Sequence, residues 1–481
     1  MSLSPFSTAN DQHQVLAQKA ISSLTLTEMY ADRIHKYNPK LNAIVIDNTE
    51  EALKEAIAFD KAPGGGSIAG VPVTVKEAFN MKGLKSTVNF KAFADYVAPS
   101  DSVVVDRIYK AQGIILGKTN IPVLLGDHQS FGPLYPTANN PWDTNKTPGG
   151  STGGGAAAVA AGLTTFEIGS DIGGSIRVPA HFCGVFGLKP SENMYVELGH
   201  LPAKPSSPFG WIQMASYGPL ARSMADIELA YNIVNAPDWR HRANLPVVSN
   251  APLHSKISDY KIGWFDTIGG FDAGNETRAI ISKFVDQLSG TGVNTSQFEF
   301  GKDWFEKVVQ VWGVFFGLVN SQGLKWMVRQ VLKRRFSKMD AGATLSISRY
   351  IKEGMNQKFD SYTRTLRVRQ KAAAELYDYF QEYDFIVSPV MRGPAFDHNH
   401  KHQPIELDGK KIPYVDHNLP FAIPWNSLGN PSLVIPTGIT ESGLPVGLQI
   451  VGPVHSEKAL IHFGKMIEDL GYTFSAPQGY E

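Results

Sequence analysis

The 481 residues include a single cysteine, Cys183, so no disulfide can form within the chain. The chain also has no charge excess, because 45 Lys and Arg residues balance 45 Asp and Glu residues. A neutral chain without long runs of one sign argues against nucleic acid or an anionic membrane as the main partner. The first residues lack a basic segment followed by an apolar run, and no stretch approaches the roughly 18 apolar residues of a membrane span. These absences predict a protein of the reducing cytoplasm.

The distribution of apolar residues predicts an α/β fold. Residues 1–60 read as helices, and strand-like runs such as VPVTV, GIILGKT, DFIVSPV and VGLQIVGP alternate with helical stretches further along. This alternation without a dividing linker indicates one layered domain over residues 1–481. Within it we expect a catalytic core at about 65–195, a variable region at about 300–350 that could form a lid, and a return to the core at about 380–481.

A glycine-rich stretch, GGSTGGG, surrounds Ser151 and Thr152 and leads directly into AAAVAAG. Clustered glycines permit unusual backbone dihedral angles or close approach of another group, which indicates a constructed site. A dinucleotide-binding loop or a GxSxG nucleophile elbow would need a strand directly before the glycines. The preceding NNPWDTNKTP contains no apolar run, which disfavours both. A flexible loop before a closely packed helix stays open.

A second cluster, GSDIGGSIRVPAHF, places Gly173, Gly174 and Ser175 between a strand-like run and a short helical turn. Consecutive backbone N–H groups at such a point can hold a developing oxyanion, and a serine there can attack a carbonyl. The nearby His181 is expected to be a core residue, so the base must come from elsewhere. Lys76 ends the apolar run AGVPVTVK, where burial would keep its amine neutral.

Three segments resemble the amidase signature family: GVPVTVKEAF around Lys76, TPGGSTGGGAAAVAAG around Ser151 and GSDIGGSIRVPAHFCGVFGLKPS around Ser175. The resemblance implies a Ser-cisSer-Lys triad. In it Ser175 is the nucleophile, Ser151 follows a cis peptide bond, and Lys76 is the terminal base. It also implies one large α/β domain with a mixed, mostly parallel twisted sheet covered by helices on both faces. No metal or organic cofactor is implied.

Further site residues follow from the same resemblance. The backbone N–H groups of Ile172, Gly173, Gly174 and Ser175 would form the oxyanion hole. Thr152 stands where many members have a second serine and keeps the hydroxyl for local hydrogen bonding. Asp171 and Arg177 would pair and fix the oxyanion loop. The residues expected to line the substrate pocket are Leu125, Asp127, His128, Phe131, Gly149, Gly150, Phe316 and Trp425.

Abundant Trp and Phe residues favour an apolar acyl or aryl group in the pocket. We therefore predict hydrolysis of a small hydrophobic amide to an acid plus ammonia or an amine, and assembly into a homodimer stays open. A glutaminase subunit of a tRNA-dependent amidotransferase, an ester or carbamate hydrolase, and a non-catalytic binding protein stay open. The glutaminase would need partner subunits, an arginine and an acid to hold glutamine. We find neither residue at the expected places, although Asp416 lies close.

One further pattern is the alternation of His398, His400 and His402 in DHNHKH. Alternating histidines without a second ligand cluster are weak evidence for a metal, so we expect a solvated loop.

Overall fold

The computed structural model describes residues 3–200, 213–236, 238 and 252–481, and these contain fifteen strands. The strands are Ile44–Asp47 (β1), Pro72–Lys76 (β2), Ile114–Thr119 (β3), Glu167–Asp171 (β4), Phe186–Lys189 (β5), Ser216–Ala221 (β6), Lys261–Trp264 (β7), Thr267–Ile268 (β8), Phe271–Asp272 (β9), Asn294–Gln297 (β10), Phe385–Pro389 (β11), Ile405–Leu407 (β12), Lys410–Ile412 (β13), Ser432–Ile439 (β14) and Pro445–Val451 (β15).

The same residues contain fifteen α-helices. They are Ala9–Ala17 (α1), Ser23–Leu41 (α2), Thr49–Lys61 (α3), Val103–Lys110 (α4), Gly153–Ala160 (α5), Arg177–Cys183 (α6), Met224–Val234 (α7), Asn275–Gly290 (α8), Lys302–Ser321 (α9), Trp326–Phe336 (α10), Ser348–Gly354 (α11), Phe359–Glu382 (α12), Tyr414–Asn418 (α13), Pro424–Ser427 (α14) and Glu457–Asp469 (α15). The alternation of strands and helices confirms the predicted α/β class.

Eleven strands form one mixed sheet in the order β1-β3-β2-β4-β6-β5-β14-β15-β11-β7-β10. Parallel pairs occupy two flanking regions, β3-β2-β4 and β11-β7-β10. The strands between them pair antiparallel, as does β1 at one edge. The predicted mixed sheet is confirmed, but parallel pairing predominates only in the flanks. In the centre, the short connection between β14 and β15 requires antiparallel neighbours.

Helices cover both faces of this sheet, as predicted. In β14, Leu433 and Ile435 enter a core that also holds residues of α7, α8 and α15. The intervening Val434 enters a separate core with residues of α5 and α6. Since successive residues of a strand point to opposite faces, these two cores lie on opposite sides of the sheet.

The aromatic region at 300–350 divides into a buried helix and an exposed one. Trp304, Phe305, Trp312 and Phe315 of α9 are all buried in a third core with residues of α11 and α12. By contrast α10 has no buried residue, and the side chain of Trp326 is 64% exposed. A lid role for this region stays a prediction. Among the described helices, none is long and apolar enough to cross a membrane.

The sheet brings the distant sequence segments of the candidate site together. β2 and β4 are parallel neighbours, with Thr74 opposite Glu167 and Val75 opposite Ile168. The carboxyl ends of parallel strands meet at one edge, where open α/β sheets commonly place their sites. Lys76, at the end of β2, therefore lies beside the loop that follows β4.

Candidate functional site

Lys76 is the last residue of β2, and its side chain is fully buried. Its Nζ atom lies 2.8 Å from Oγ of Ser151 and 2.9 Å from Oγ1 of Thr152. It also donates to the carbonyl oxygen and to Oγ of Ser170, each at 3.1 Å. The predicted base and the predicted middle serine are thus in direct hydrogen-bond contact.

The surroundings of Lys76 favour its neutral form. Burial lowers the pKa of Lys76 to about 7, against the opposing influence of Asp171 and Glu167. Burial also raises the pKa of Glu167 to about 8, so this carboxyl is largely uncharged at neutral pH. The carboxylate of Asp171 already pairs with Arg177, with Nε and Oδ2 3.1 Å apart. Desolvation therefore dominates, and much of the Lys76 amine can accept a proton near pH 7.

The turn that carries Ser151 contacts both Lys76 and the Ser175 segment. The peptide bond between Gly150 and Ser151 is cis, as the resemblance implied. The Thr152 N–H donates to the carbonyl oxygen of Ser175 at 3.1 Å. Ser151 is 1% exposed and Ser175 is 5% exposed. The two predicted catalytic serines therefore belong to buried segments that are hydrogen-bonded to each other.

The glycines after Ser151 allow close packing of α5. A β-carbon at Gly154 would lie 2.3 Å from the backbone nitrogen of Asn120, and one at Gly155 would lie 2.5 Å from the Glu167 side chain. Every residue between β3 and α5 is described, and none of them forms a strand. A nucleotide loop and a nucleophile elbow both require that strand, so neither geometry is present here.

The loop after β4 presents three backbone N–H groups beside Ser175. The N–H groups of Ile172, Gly173 and Ser175 donate to no acceptor within the described part of the chain. Gly174, with φ of +110°, instead donates its N–H to Oδ1 of Asp171 at 2.8 Å. The oxyanion hole of Ile172, Gly173, Gly174 and Ser175 stays a prediction, and the Gly174 amide already has an acceptor within the chain. The other three are available to an oxyanion.

A fully buried ion pair fixes this loop, as predicted for Asp171 and Arg177. Nε and Nη2 of Arg177 each donate to the Asp171 carboxylate at 3.1 Å, and the Ile176 N–H donates to it at 3.0 Å. Arg177 also donates to the side-chain oxygens of Gln449 and Asn426. Burial alone would raise the pKa of Asp171, but the charge and hydrogen bonds of Arg177 hold it well below its usual range. The charge of Asp171 is thus permanent at neutral pH.

Two aromatic side chains of α9 form a wall beside the same loop. The rings of Trp312 and Phe316 are stacked with centroids 4.4 Å apart. Nε1 of Trp312 donates to the carbonyl oxygen of Ile172 at 2.8 Å. A β-carbon at Gly173 would lie only 3.1 Å from the Trp312 ring. Phe316, a predicted pocket residue, therefore lies one ring away from the oxyanion loop.

Three further predicted pocket residues pack around the cis peptide bond. His128 Nε2 lies 2.8 Å from the carbonyl oxygen of Gly173 and must donate, because a carbonyl only accepts. Burial lowers the pKa of His128, which favours this neutral, Nε2-protonated form. Gly149 has φ of +88°, and a β-carbon at Gly150 would lie 2.5 Å from the backbone oxygen of Asp127. Only glycine fits at these two positions.

Asp127 and Phe131, which are also predicted pocket residues, contact a neighbouring loop. The Asp127 carboxylate accepts from the Tyr414 hydroxyl at 2.5 Å and lies 2.6 Å from Nε2 of His402. Phe131 stacks on His400 with ring centroids 4.2 Å apart. Both histidines are exposed, as expected for a solvated loop. Their contacts anchor this loop beside the site.

Two further predicted pocket residues belong to apolar clusters. Leu125 packs with Val88 in a small apolar cluster. Trp425 is fully buried, with its ring 6.3 Å from those of Phe265 and Phe300. A pocket role for Trp425 stays a prediction, because an aromatic side chain suits a core as well as a ligand wall.

Sequence reasoning missed several groups that support the site. Asn426 donates to the backbone oxygen of Asp171 at 3.3 Å and to its carboxylate at 3.0 Å. His200 is buried, and its Nε2 lies 3.1 Å from Oγ of Ser170, which contacts Lys76. Ser170 could have been noticed beside Asp171 in GSDIGGS. Nothing in the local sequence of Asn426 or His200 indicates these contacts.

Comparisons with known proteins match nearly the whole chain. A family model described as Amidase matches residues 25–461. A glutamyl-tRNA(Gln) amidotransferase subunit of Prochlorococcus marinus is 31% identical, over 97% of this chain and 98% of its own length. The structure of the corresponding subunit from Thermotoga maritima superposes with a TM-score of 0.78 and 22% identity, covering 99% of each chain. The structure of a bacterial aryl acylamidase of the amidase signature family gives a TM-score of 0.78 and 23% identity, covering 98% of this chain and 99% of its own.

Proposed function

Since the chain belongs to the amidase family, whose members act on carbon–nitrogen bonds, we propose that it hydrolyses a carboxylic amide through an acyl-enzyme on Ser175. The observation that carries the proposal is the fully buried Nζ of Lys76, 2.8 Å from Oγ of Ser151. Burial lowers the pKa of Lys76 to about 7 and so supplies a base without histidine.

The reaction would proceed in two halves. Lys76 accepts the proton of Ser151 while Ser151 accepts that of Ser175, and Oγ of Ser175 bonds to the amide carbon. The carbonyl electron pair moves to oxygen, where three free backbone N–H groups stabilise it. When the C–N bond breaks, the proton returns through Ser151 to the leaving nitrogen. Water then attacks the acyl ester and gives a proton through Ser151 to Lys76. When the bond between the acyl carbon and Oγ of Ser175 breaks, this proton returns through Ser151 to Oγ of Ser175, and the carboxylic acid leaves.

The pocket wall supports an apolar acyl or aryl group in the substrate. Trp312 and Phe316 stack beside the oxyanion loop, and Phe336 of α10 meets Phe316 edge to face, with ring centroids 6.2 Å apart. This continuous aromatic surface offers a hydrophobic group favourable burial close to the reacting carbonyl. We therefore propose a hydrophobic amide as the main substrate class.

A second candidate is the glutaminase subunit of a tRNA-dependent amidotransferase, which would act with partner subunits. It is favoured by relatives named as glutamyl-tRNA(Gln) amidotransferase subunits at 29–31% identity, which align along almost their full lengths. However, both carboxylate oxygens of Asp416 accept backbone N–H groups, from Thr344 and Leu345, each at 2.8 Å. This acid thus already has two backbone donors, so the amino group of glutamine would have to use its remaining lone pairs.

A substrate panel separates the two candidates. The purified protein and its Ser175→Ala variant would be assayed with benzamide, a long-chain anilide, an ester, a carbamate and glutamine. We expect the anilide or benzamide to be hydrolysed and glutamine to be untouched, with no turnover by the variant. Preferential glutamine turnover would favour the amidotransferase reading. A fluorophosphonate probe should label the wild-type protein alone, and equal labelling of Ser175→Ala would contradict the assigned nucleophile.

The rate of amide hydrolysis should rise with pH through about 7. Lys76 works only when neutral, and the lowered pKa of about 7 means that its neutral fraction grows as the pH increases. We expect kcat/KM measured between pH 5 and 9 to climb to a plateau. Lys189 is a necessary control, because burial also lowers its pKa to about 7. The Lys189→Met variant should keep the inflection, and a profile that is flat in wild type would contradict the assigned base.

A further inference from the structure

The orientation of each free amide in the oxyanion loop is determined by the carbonyl of the same peptide unit. A peptide unit is planar and its C=O and N–H point in opposite directions, so whatever holds the carbonyl also aims the amide. The Asp171 oxygen accepts from Asn426 at 3.3 Å, which aims the N–H of Ile172. The Gly174 oxygen accepts from the Val178 N–H at 2.7 Å, which aims the N–H of Ser175.

The third free amide, that of Gly173, is aimed by Trp312. The carbonyl of Ile172 accepts from Nε1 of Trp312 at 2.8 Å, so the Gly173 N–H points away from the indole. The next carbonyl, of Gly173, is held by His128, and its partner amide at Gly174 is bonded to Asp171. Trp312 is therefore the one side chain on α9 that fixes an available donor.

We propose that Trp312 is a positioning residue for the reaction, which sets the Gly173 N–H as an oxyanion donor. This inference rests on the proposed hydrolysis by Ser175. It assigns the indole a role beyond that of an apolar wall. Trp312 is 3% exposed, and its ring lies 3.1 Å from the β-carbon that any other residue would place at Gly173. Glycine at 173 thus permits the contact that orients its own amide.

The proposal also connects the aromatic residues Phe316 and Phe336 to the oxyanion loop. The same indole that donates to Ile172 stacks on Phe316 at 4.4 Å, and Phe316 meets Phe336 of α10. A substrate group seated on this wall would press against the residue that holds the oxyanion donor. α9 lies far along the chain from both serine segments, so the contact depends on tertiary packing alone.

The test removes the indole N–H while keeping an aromatic ring. In Trp312→Phe we expect kcat to fall by about 10- to 100-fold, while KM changes by less than about 3-fold. The fall in kcat should not exceed the fall caused by removing one oxyanion donor completely. The pH inflection near 7 should stay, because Lys76 is untouched. Wild-type kcat in Trp312→Phe would overturn the proposal.

The matched control lies on the same helix. Trp304 is 4% exposed, and its Nε1 donates to the carbonyl oxygen of Ala372 at 2.9 Å, in α12. Trp304→Phe loses the same N–H and the same ring volume away from the oxyanion loop. We expect its melting temperature to fall as far as that of Trp312→Phe, with kcat near wild type. An equal fall in kcat for both variants would show a general stability effect and overturn the proposal.

A second variant separates loss of the indole N–H from loss of ring volume. Trp312→3-benzothienylalanine keeps the bicyclic shape and lacks only the N–H, so it should fold and show the same loss of kcat. If this variant turns over like wild type, the proposal fails while the function stands. If wild type and Ser175→Ala are equally active, the proposed function itself fails.

Discussion

Lys76→Met is expected to lower kcat for amide hydrolysis by about 10³- to 10⁵-fold, as loss of a residue that acts within a catalytic unit does. Methionine matches the length of the lysine stem and tolerates burial, so the fold should persist. What disappears is the amine 2.8 Å from Oγ of Ser151. Without it the protons of Ser151 and Ser175 have no acceptor, and the hydroxyl of Ser175 stays a weak nucleophile.

The measurement is steady-state hydrolysis together with the rate of fluorophosphonate labelling at pH 8. Lys118→Met is the matched control, because Lys118 is also fully buried and burial lowers its pKa to about 8. Its Nζ donates to the carbonyl oxygen of Lys85 at 2.6 Å and contacts neither catalytic serine. Lys118→Met should lose stability and keep kcat. Near-normal turnover in Lys76→Met would rule out the proposed base.

The Lys76–Ser151 contact could be anticipated from the sequence because each partner carries a local signal. Lys76 follows a run of apolar residues that forms a buried strand, and Ser151 lies among glycines that permit close packing. Parallel neighbours then bring the strand ends to one edge of the sheet. The expectation that His181 is a core residue also agrees with its surroundings, since both of its ring nitrogens bond to backbone groups.

The rest of the site depends on contacts between distant segments, which local patterns do not encode. The aromatic run of α9 indicates burial, but it does not reveal that Trp312 reaches the carbonyl of Ile172 while Trp304 reaches Ala372. The same ambiguity applies to Trp425, which the sequence assigns to the pocket and which is fully buried. The antiparallel pairing of the central strands is also set by how the chain crosses the sheet, and no single strand sequence specifies it.

The Asp171–Arg177 pair differs from Lys76, the proposed base, because it stabilises the fold and also holds the loop of Ser175. Both side chains are fully buried, so water cannot solvate either charge if the other is removed. The Asp171 carboxylate also accepts the N–H groups of Gly174 and Ile176, on either side of Ser175. Loss of this charge would therefore leave a buried guanidinium without its counter-ion and release the loop that carries Ser175, the proposed nucleophile.

Asp171→Asn is accordingly expected to lower the free energy of unfolding by about 3–5 kcal/mol, the usual cost of breaking a buried ion pair from one side. Asparagine has nearly the same size as aspartate, but only one of its two terminal atoms is a hydrogen-bond acceptor. It therefore cannot replace both carboxylate oxygens, which accept from Arg177 and from backbone N–H groups. Urea unfolding at pH 7 would measure the loss. Asp106→Asn, which breaks an exposed pair with Lys110, is the control and should change the value by less than about 1 kcal/mol.

The effect of Asp171→Asn on stability should depend on pH, and this dependence tests the role of the ion pair. Arg177 holds the pKa of Asp171 below its usual range, so the carboxylate stabilises the fold fully above the ordinary aspartate pKa. That stabilisation is lost as the pH falls below the ordinary aspartate pKa and approaches the lower pKa that Asp171 has in the folded protein. The stability difference between wild type and Asp171→Asn should thus be constant near neutrality and shrink in acid. A difference that is small at pH 7, or that grows on acidification, would show that the pair does not hold the loop as described.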